Sequence, residues 1–349
     1  MNQILNFDYT ILLILSSLLI AIFLGWVSIK LAPQINLMDI PGSAVHKTHS
    51  KPVPLTGGIV LIDTIFLLTI FTGLWKESEI FAILVSGLII AGFGLLDDFI
   101  NLTPIQKLIG QFLGASLLIY LGVQIQFFDS PEFFYRTDST LDLWLNILFT
   151  VLWIVAITNA FNFIDSIDGL AIGLSSVSIA FFLFISILSG QLAIIYFCSI
   201  LLGIFIGIYF FNAHPAKLFL GDSGAQTIGF LLASIAIVFD PNTGNQSSTW
   251  FVPILFFSVP LFDLMLVIIS RIRRRKNIYT ASHDHTFHRL EQSGISIQHA
   301  VLIMHGVSLI MSMVGYLCLN LPSSYANIVL ISTVTLGIVT IIKLDCRYS

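Results

Sequence analysis

Residues 191–211 read QLAIIYFCSILLGIFIGIYFF, a run without one charged side chain. A helix rises about 1.5 Å per residue and a bilayer's hydrocarbon core is about 30 Å thick, so about 20 such residues cross it. Working outward from this run, ten more of the kind follow. They lie near 9–31, 55–74, 79–96, 105–123, 141–159, 168–188, 225–239, 249–270, 298–320 and 325–343. The pattern predicts an all-α, polytopic membrane helix bundle of about eleven transmembrane helices, built as a single domain over 1–349. Composition agrees: 56% of the residues are hydrophobic and 10% charged, with a mean hydropathy of +0.96, where a soluble domain carries about 25% charged residues.

The segment 225–239 is short, and its loss would move everything after it to the other side of the membrane. Basic residues collect in cytoplasmic loops, which tests the count. With the N-terminus outside, the inside segments hold Lys30, Lys47, Lys51, Lys107, Lys217, Arg271, Arg273, Arg274, Arg275, Lys276, Arg289, Lys343 and Arg347. Only Lys76 and Arg136 fall outside. The N-terminal run has no basic leader, carries Asp8 and is long enough to span, so it reads as a helix and not as a signal peptide. Cys198, Cys318 and Cys346 have no metal or disulfide spacing. The outside stretch 124–140 could form a small strand or interfacial element.

This topology gathers four polar clusters on the inside. Asp97 and Asp98 end the third span. Asn159, Asn162, Asp165 and Asp168 follow the fifth, and Asn212, His214, Lys217 and Asp222 the seventh. His283, Asp284, His285, His288 and Arg289 follow the ninth. Each has a plainer reading: a solvated helix end, a capping turn at 162–169, a turn and N-cap at 221–224, a solvated loop. Four coincidences at one face are less economical than one site, since ionisable groups at membrane depth are costly. Hard oxygen donors from Asp and Asn suit Mg²⁺, which binds through one or two carboxylates and substrate phosphates. Histidines beside Arg289 suit a diphosphate better than zinc. There is no GxxxxGK[ST] loop, so an ATPase is not indicated, and no nucleic acid partner is expected. Asp63 and Asp263 lie inside spans, and for Asp263 pairing with a basic group on the inner side is expected.

Four strings carry a family resemblance: GLLDDFINLTPIQKLIGQ (94–111), NAFNFIDSIDGLA (159–171), FLGDSGAQTIGF (219–230) and HDHTFHRLEQSGIS (283–296). HSKPVPLTGG (49–58) and PLFD (260–263) add to them. In this order, over 39–296, they resemble the signatures of the polyprenyl-phosphate N-acetylhexosamine-1-phosphate transferases, the glycosyltransferase 4 superfamily.

The resemblance implies an enzyme of the inner (plasma) membrane, multi-pass, with catalytic loops facing the cytoplasm. It implies transfer of a sugar-1-phosphate, N-acetylglucosamine-1-phosphate by default, from a UDP-N-acetylhexosamine to a polyprenyl (undecaprenyl) phosphate, releasing UMP. The lipid-linked product would serve cell-envelope glycans such as lipopolysaccharide or teichoic acid. Mg²⁺ or Mn²⁺ is the implied cofactor, with Asn162 and Asp222 as metal residues. Asp97 and Asp98 match the acidic pair near the acceptor phosphate and, with His288, are the implied catalytic residues. Asp165, Asp168, Lys107, His285 and Arg289 match substrate-binding positions, the first two at the uracil. Relatives are often homodimers.

Two departures bear on the branch. The phospho-N-acetylmuramoyl-pentapeptide branch usually has Lys where Asn101 stands, and a run of histidines where this loop has Phe287. Both favour the N-acetylhexosamine side. An ion-coupled transporter is the rival of another class; it would need acids near the midplane and inverted repeats. Base catalysis by the Asp pair is open to question at this point. A phosphate monoester is mostly dianionic at pH 7, its second pKa being about 6, so positioning is the other role for the pair.

Overall fold

Helices apolar on every side must bury that surface in each other or in lipid, and the computed structural model is built that way. It describes residues 2–41, 51–128, 139–241, 250–275 and 284–346. Its α-helices are α1 (Asn2–Leu31), α2 (Gly57–Thr72), α3 (Ser78–Ile100), α4 (Pro104–Tyr120), α5 (Ser139–Ile164), α6 (Leu170–Ser189) and α7 (Leu192–Asn212). They continue with α8 (Gly221–Val238), α9 (Val252–Phe256), α10 (Ser258–Arg273), α11 (Thr286–Gln292), α12 (Ile297–Cys318) and α13 (Ser323–Cys346). Each of the eleven apolar segments is helical. Among the described residues eight helices are long and apolar enough to cross a membrane, and the protein is a polytopic helical membrane protein. A short antiparallel pair, β1 (Met38–Asp39) with β2 (Val53–Pro54), lies in the loop before α2. Arg136, most of the stretch 124–140, Lys47, Lys276, His283 and Arg347 lie outside the described residues.

α8 forms the centre. It packs on α2, α3 and α5, and 72% of its apolar window is buried, against 11% for α13. The segment expected at 225–239 is therefore longer and begins at Gly221, so the GDSG string is the helix's first turn and not a turn before it. Close approach explains the small residues there. A Cβ on Gly94 of α3 would stand 2.6 Å from Ser223 Cα, so only glycine lets these backbones meet.

The ninth segment is not continuous. It breaks at Phe257 into α9 and α10. The cause is Pro260, whose ring displaces the carbonyl four residues back and which has no N–H to give it. That carbonyl belongs to Phe256. It is satisfied instead by the hydroxyl of Ser178 on α6, at 3.0 Å, as a break inside a membrane requires.

Two turns bring the charged residues together. Asn101 caps α3 in a left-handed conformation, φ 53°, which Asn tolerates better than most side chains. Thr103 then starts α4 with a capping box to Gln106 and Pro104 in the first turn. α4 thereby doubles back on α3, and Lys107 faces the end of the helix it has just left.

Candidate active site

The end of α3 is wired to the start of α8. The Asp98 carboxylate accepts the backbone N–H groups of Asp222 (2.7 Å) and Ser223 (3.1 Å) and the Ser223 hydroxyl (2.6 Å). These are the unsatisfied donors of a helix N-terminus, where a negative charge is favoured. Gly221 permits it. Its φ is +69°, and a Cβ there would lie 2.7 Å from Asp98 Oδ2. Asp98 is thus the cap of the helix that carries Asp222.

Asp97 takes a different position. One of its oxygens accepts the Leu102 N–H at 2.5 Å, and the other lies 2.6 Å from Lys107 Nζ. The same ammonium also pairs with Asp222. Helices α3, α4 and α8 therefore meet at one cation shared by two carboxylates. Asn162 is half-buried on the last turn of α5, which packs against α8.

The loop after α5 is fastened to the loop after α7. Asn212 accepts the Gly169 N–H (3.1 Å) and donates to the Leu218 carbonyl (2.9 Å). Asp168 accepts from the Ala216 N–H at 3.0 Å and lies 2.9 Å from His214 Nδ1. Between them Asp165 faces the charges of Asp98 and Asp168. Desolvation first, and those two charges next, push its carboxyl up to about 8. Three of the four polar clusters thus share one surface through direct contacts.

The fourth cluster hangs from α10, which packs on α5. Asp263, fully buried, lies 2.8 Å from His285 Nδ1 and accepts the Thr286 N–H at 2.7 Å. The inner-side basic group that pairs with this intramembrane acid is His285, which the sequence did not single out for it. Phe287 is 1% exposed and lies between the two histidines, its ring centroid 5.6 Å from His285 and 4.2 Å from His288. His288 lies 3.5 Å from Glu291. Arg289 is 3% exposed; it donates to the Asp284 carbonyl (3.1 Å) and Ser270 Oγ (2.9 Å) and lies 3.5 Å from Asp345. Its guanidinium braces the loop against α10 and the end of α13, and burial lowers its pKa.

Sequence reading missed three things here: the capping role of Asp98, the part of Asp345, and the tie from Asp263 to His285. Only the last left a signal, an acid inside an apolar run.

As a metal site the centre has the right chemistry and an incomplete geometry. Among the described residues no group of three or more His, Cys, Asp or Glu side chains is gathered as for a metal ion. Yet Asp97 and Asp222 already converge on a cation, and hard oxygens with one or two carboxylates are what Mg²⁺ takes when phosphates supply the rest. Asp222 and Asp97 supply carboxylates of this kind, and Asn162 is an amide donor on α5, the helix that packs against α8.

Residues 80–240 match the model of Glycosyl transferase family 4. Among relatives, a protein of Bacillus subtilis (strain 168) named probable undecaprenyl-phosphate N-acetylglucosaminyl 1-phosphate transferase is 30% identical, covering 85% of this chain and 81% of its own. A decaprenyl-phosphate N-acetylglucosaminephosphotransferase of Mycobacterium leprae (strain TN) is 30% identical over 74% of this chain and 71% of its own. A phospho-N-acetylmuramoyl-pentapeptide-transferase of Halalkalibacterium halodurans is 28% identical over 77% and 85%. With this similarity running through the helices that build the site, the chain belongs to Glycosyl transferase family 4.

Proposed function

We propose that the protein transfers N-acetylglucosamine-1-phosphate from UDP-N-acetylglucosamine to undecaprenyl phosphate, with the site facing the cytoplasm across the inner membrane. The observation that carries the reading is the Lys107 ammonium held between Asp97 and Asp222, beside the loop of Asp165 and Asp168. Such an arrangement suits a diphosphate, whose transfer needs charge neutralisation and positioning more than covalent help. The distribution of basic residues supports the orientation.

In the reaction an oxygen of the lipid phosphate attacks the β-phosphorus of the donor. The bond from that phosphorus to the bridging oxygen breaks, and UMP leaves with the electron pair. Mg²⁺ or Mn²⁺, held by Asp222 and Asn162, would neutralise the diphosphate. Lys107 adds a permanent positive charge whose ammonium can pass from carboxylate to phosphate. Asp165 and Asp168 present acceptors to the uracil imide. His285 gives its Nδ1–H to Asp263, and as the imidazolium so paired it donates Nε2–H to the phosphates, with His288 on the other side of Phe287. Arg289 is a positioning residue: its Nε holds the Asp284 carbonyl and its Nη2 the Ser270 hydroxyl, which fixes the loop on α10.

Asp98 serves this scheme as a helix cap, and the dianionic acceptor needs no strong base. The test is to supply membranes containing the protein with Mg²⁺, undecaprenyl phosphate and a panel of UDP-sugars, UDP-N-acetylmuramoyl-pentapeptide included, and to measure UMP. UMP from UDP-N-acetylglucosamine is expected. UMP from the pentapeptide donor alone would assign the chain to the other branch, and none from any donor would refute the transferase reading.

A further inference from the structure

One turn deeper than the charged centre lies a second layer, made of amides. Gln111 follows Lys107 by four residues on α4, Gln226 follows Asp222 by four on α8, and Asn159 precedes Asn162 by three on α5. Gln111 and Gln226 are 1% and 2% exposed. Asn159 Nδ2 donates to Gln111 Oε1 at 2.7 Å and to the Val155 carbonyl at 2.8 Å. Gln111 Nε2 donates to Gln226 Oε1 at 3.1 Å and lies 3.4 Å from Asn159 Oδ1. The chain of bonds runs across three helices whose own backbones do not need it.

Polar side chains inside a membrane bundle are costly and are kept where they do something. Apolar residues would fill this space without that cost. Carboxamides differ from them in direction: donor and acceptor are fixed in one plane, so the network sets the rotation and depth of each helix. It is also neutral at every pH, unlike the layer above. A turn of helix is about 5.4 Å, so a rotation allowed here displaces Lys107, Asn162 and Asp222 directly.

We propose that Gln111, Asn159 and Gln226 form a positioning layer that sets the spacing of the metal and diphosphate groups above it. None of the three touches the reacting atoms. The inference rests on the reading of Asn162 and Asp222 as the metal holders.

The test is Mn²⁺ binding by electron paramagnetic resonance, on the full chain in nanodiscs without substrates, with melting followed in parallel. Gln111→Leu and Gln226→Leu should each weaken Mn²⁺ binding about tenfold, the usual scale for residues that orient ligands. The double variant should weaken it hardly more than either single one, since each breaks the same chain of bonds. Asp222→Asn is the control and should abolish binding. Leu variants that bind Mn²⁺ normally while Asp222→Asn does not would overturn the positioning layer alone, whatever their melting points. Normal binding by Asp222→Asn would overturn the metal reading, and the layer's role with it.

Discussion

Asp98 and Asp97 are neighbours in sequence with unlike work. Three donors from the first turn of α8 fill the Asp98 carboxylate, and an asparagine there would turn an NH₂ group toward N–H donors. Asp98→Asn should therefore lower stability by about 2 kcal/mol, the scale of hydrogen bonds to a charged group. Transfer should fall at every pH, because the displaced element carries Asp222. Recovery of the full rate at high pH would instead mark Asp98 as a base. The acidic pair itself was plain in the sequence. Its division of labour was not, because it depends on which residue of a helix end faces α8. Asp165 gives a second test at this scale. Its carboxyl is raised from 3.8 to about 8, so the folded state holds a proton that the unfolded chain releases. Stability of the metal-free protein from this group then falls as pH rises through that interval. Asp165→Asn removes the effect: the variant should melt with the parent near pH 4 and above it near pH 8, the two ends of the same interval. A difference of the opposite sign, or none, in melting scans with chelator would refute the assignment.

Among the elements, α10 carries the most consequence. Pro260 breaks the ninth segment, Ser178 absorbs the freed carbonyl, and Asp263, three residues past the proline, ties down His285 and Thr286. Asp263→Asn keeps the volume and loses the charge that fixes the histidine's Nδ1–H, leaving Nε2 without a set tautomer. Transfer should fall about tenfold or more, as when the group orienting an active side chain is removed. Hydrogen exchange should quicken at Thr286 and leave α8 unchanged. Unaltered exchange at Thr286 would show that the loop does not depend on this acid. Hydropathy found the segment but not its break, since a window average does not register one missing N–H. The Thr-Pro-Ile-Gln box that starts α4 is local chemistry, and hydropathy, which begins the span at 105, does not register it. The start of α8 at Gly221 was not readable, because its cap comes from Asp98, 123 residues earlier by the numbering.

For the molecule as a whole, hydropathy and charge placed four polar clusters at one end, and contacts join three of them directly. Such large-scale order is legible because span length and loop charge are additive along the chain. Side-chain contacts between distant helices are not, and the last helix shows why. α13 is exposed over most of its length, with 11% of its apolar window buried, yet its Asp345 is 4% exposed. That carboxylate pairs with Arg273 and lies 3.5 Å from both Arg274 and Arg289, while Arg274 also holds Asp284 at 2.7 Å. The C-terminal helix is therefore attached to the bundle chiefly where it neutralises the base of the histidine loop. Removing one partner of a buried ion pair is costly, about 3 kcal/mol or more, because the other charges remain. Asp345→Ala should spend that cost locally: α11 and α13 should lose hydrogen-exchange protection together, transfer should fall, and α3, α5 and α8 should keep their protection. If α13 loosens while α11 and transfer stay as they were, the helix is a lipid-facing appendage and the loop stands on Asp263 and Ser270 alone.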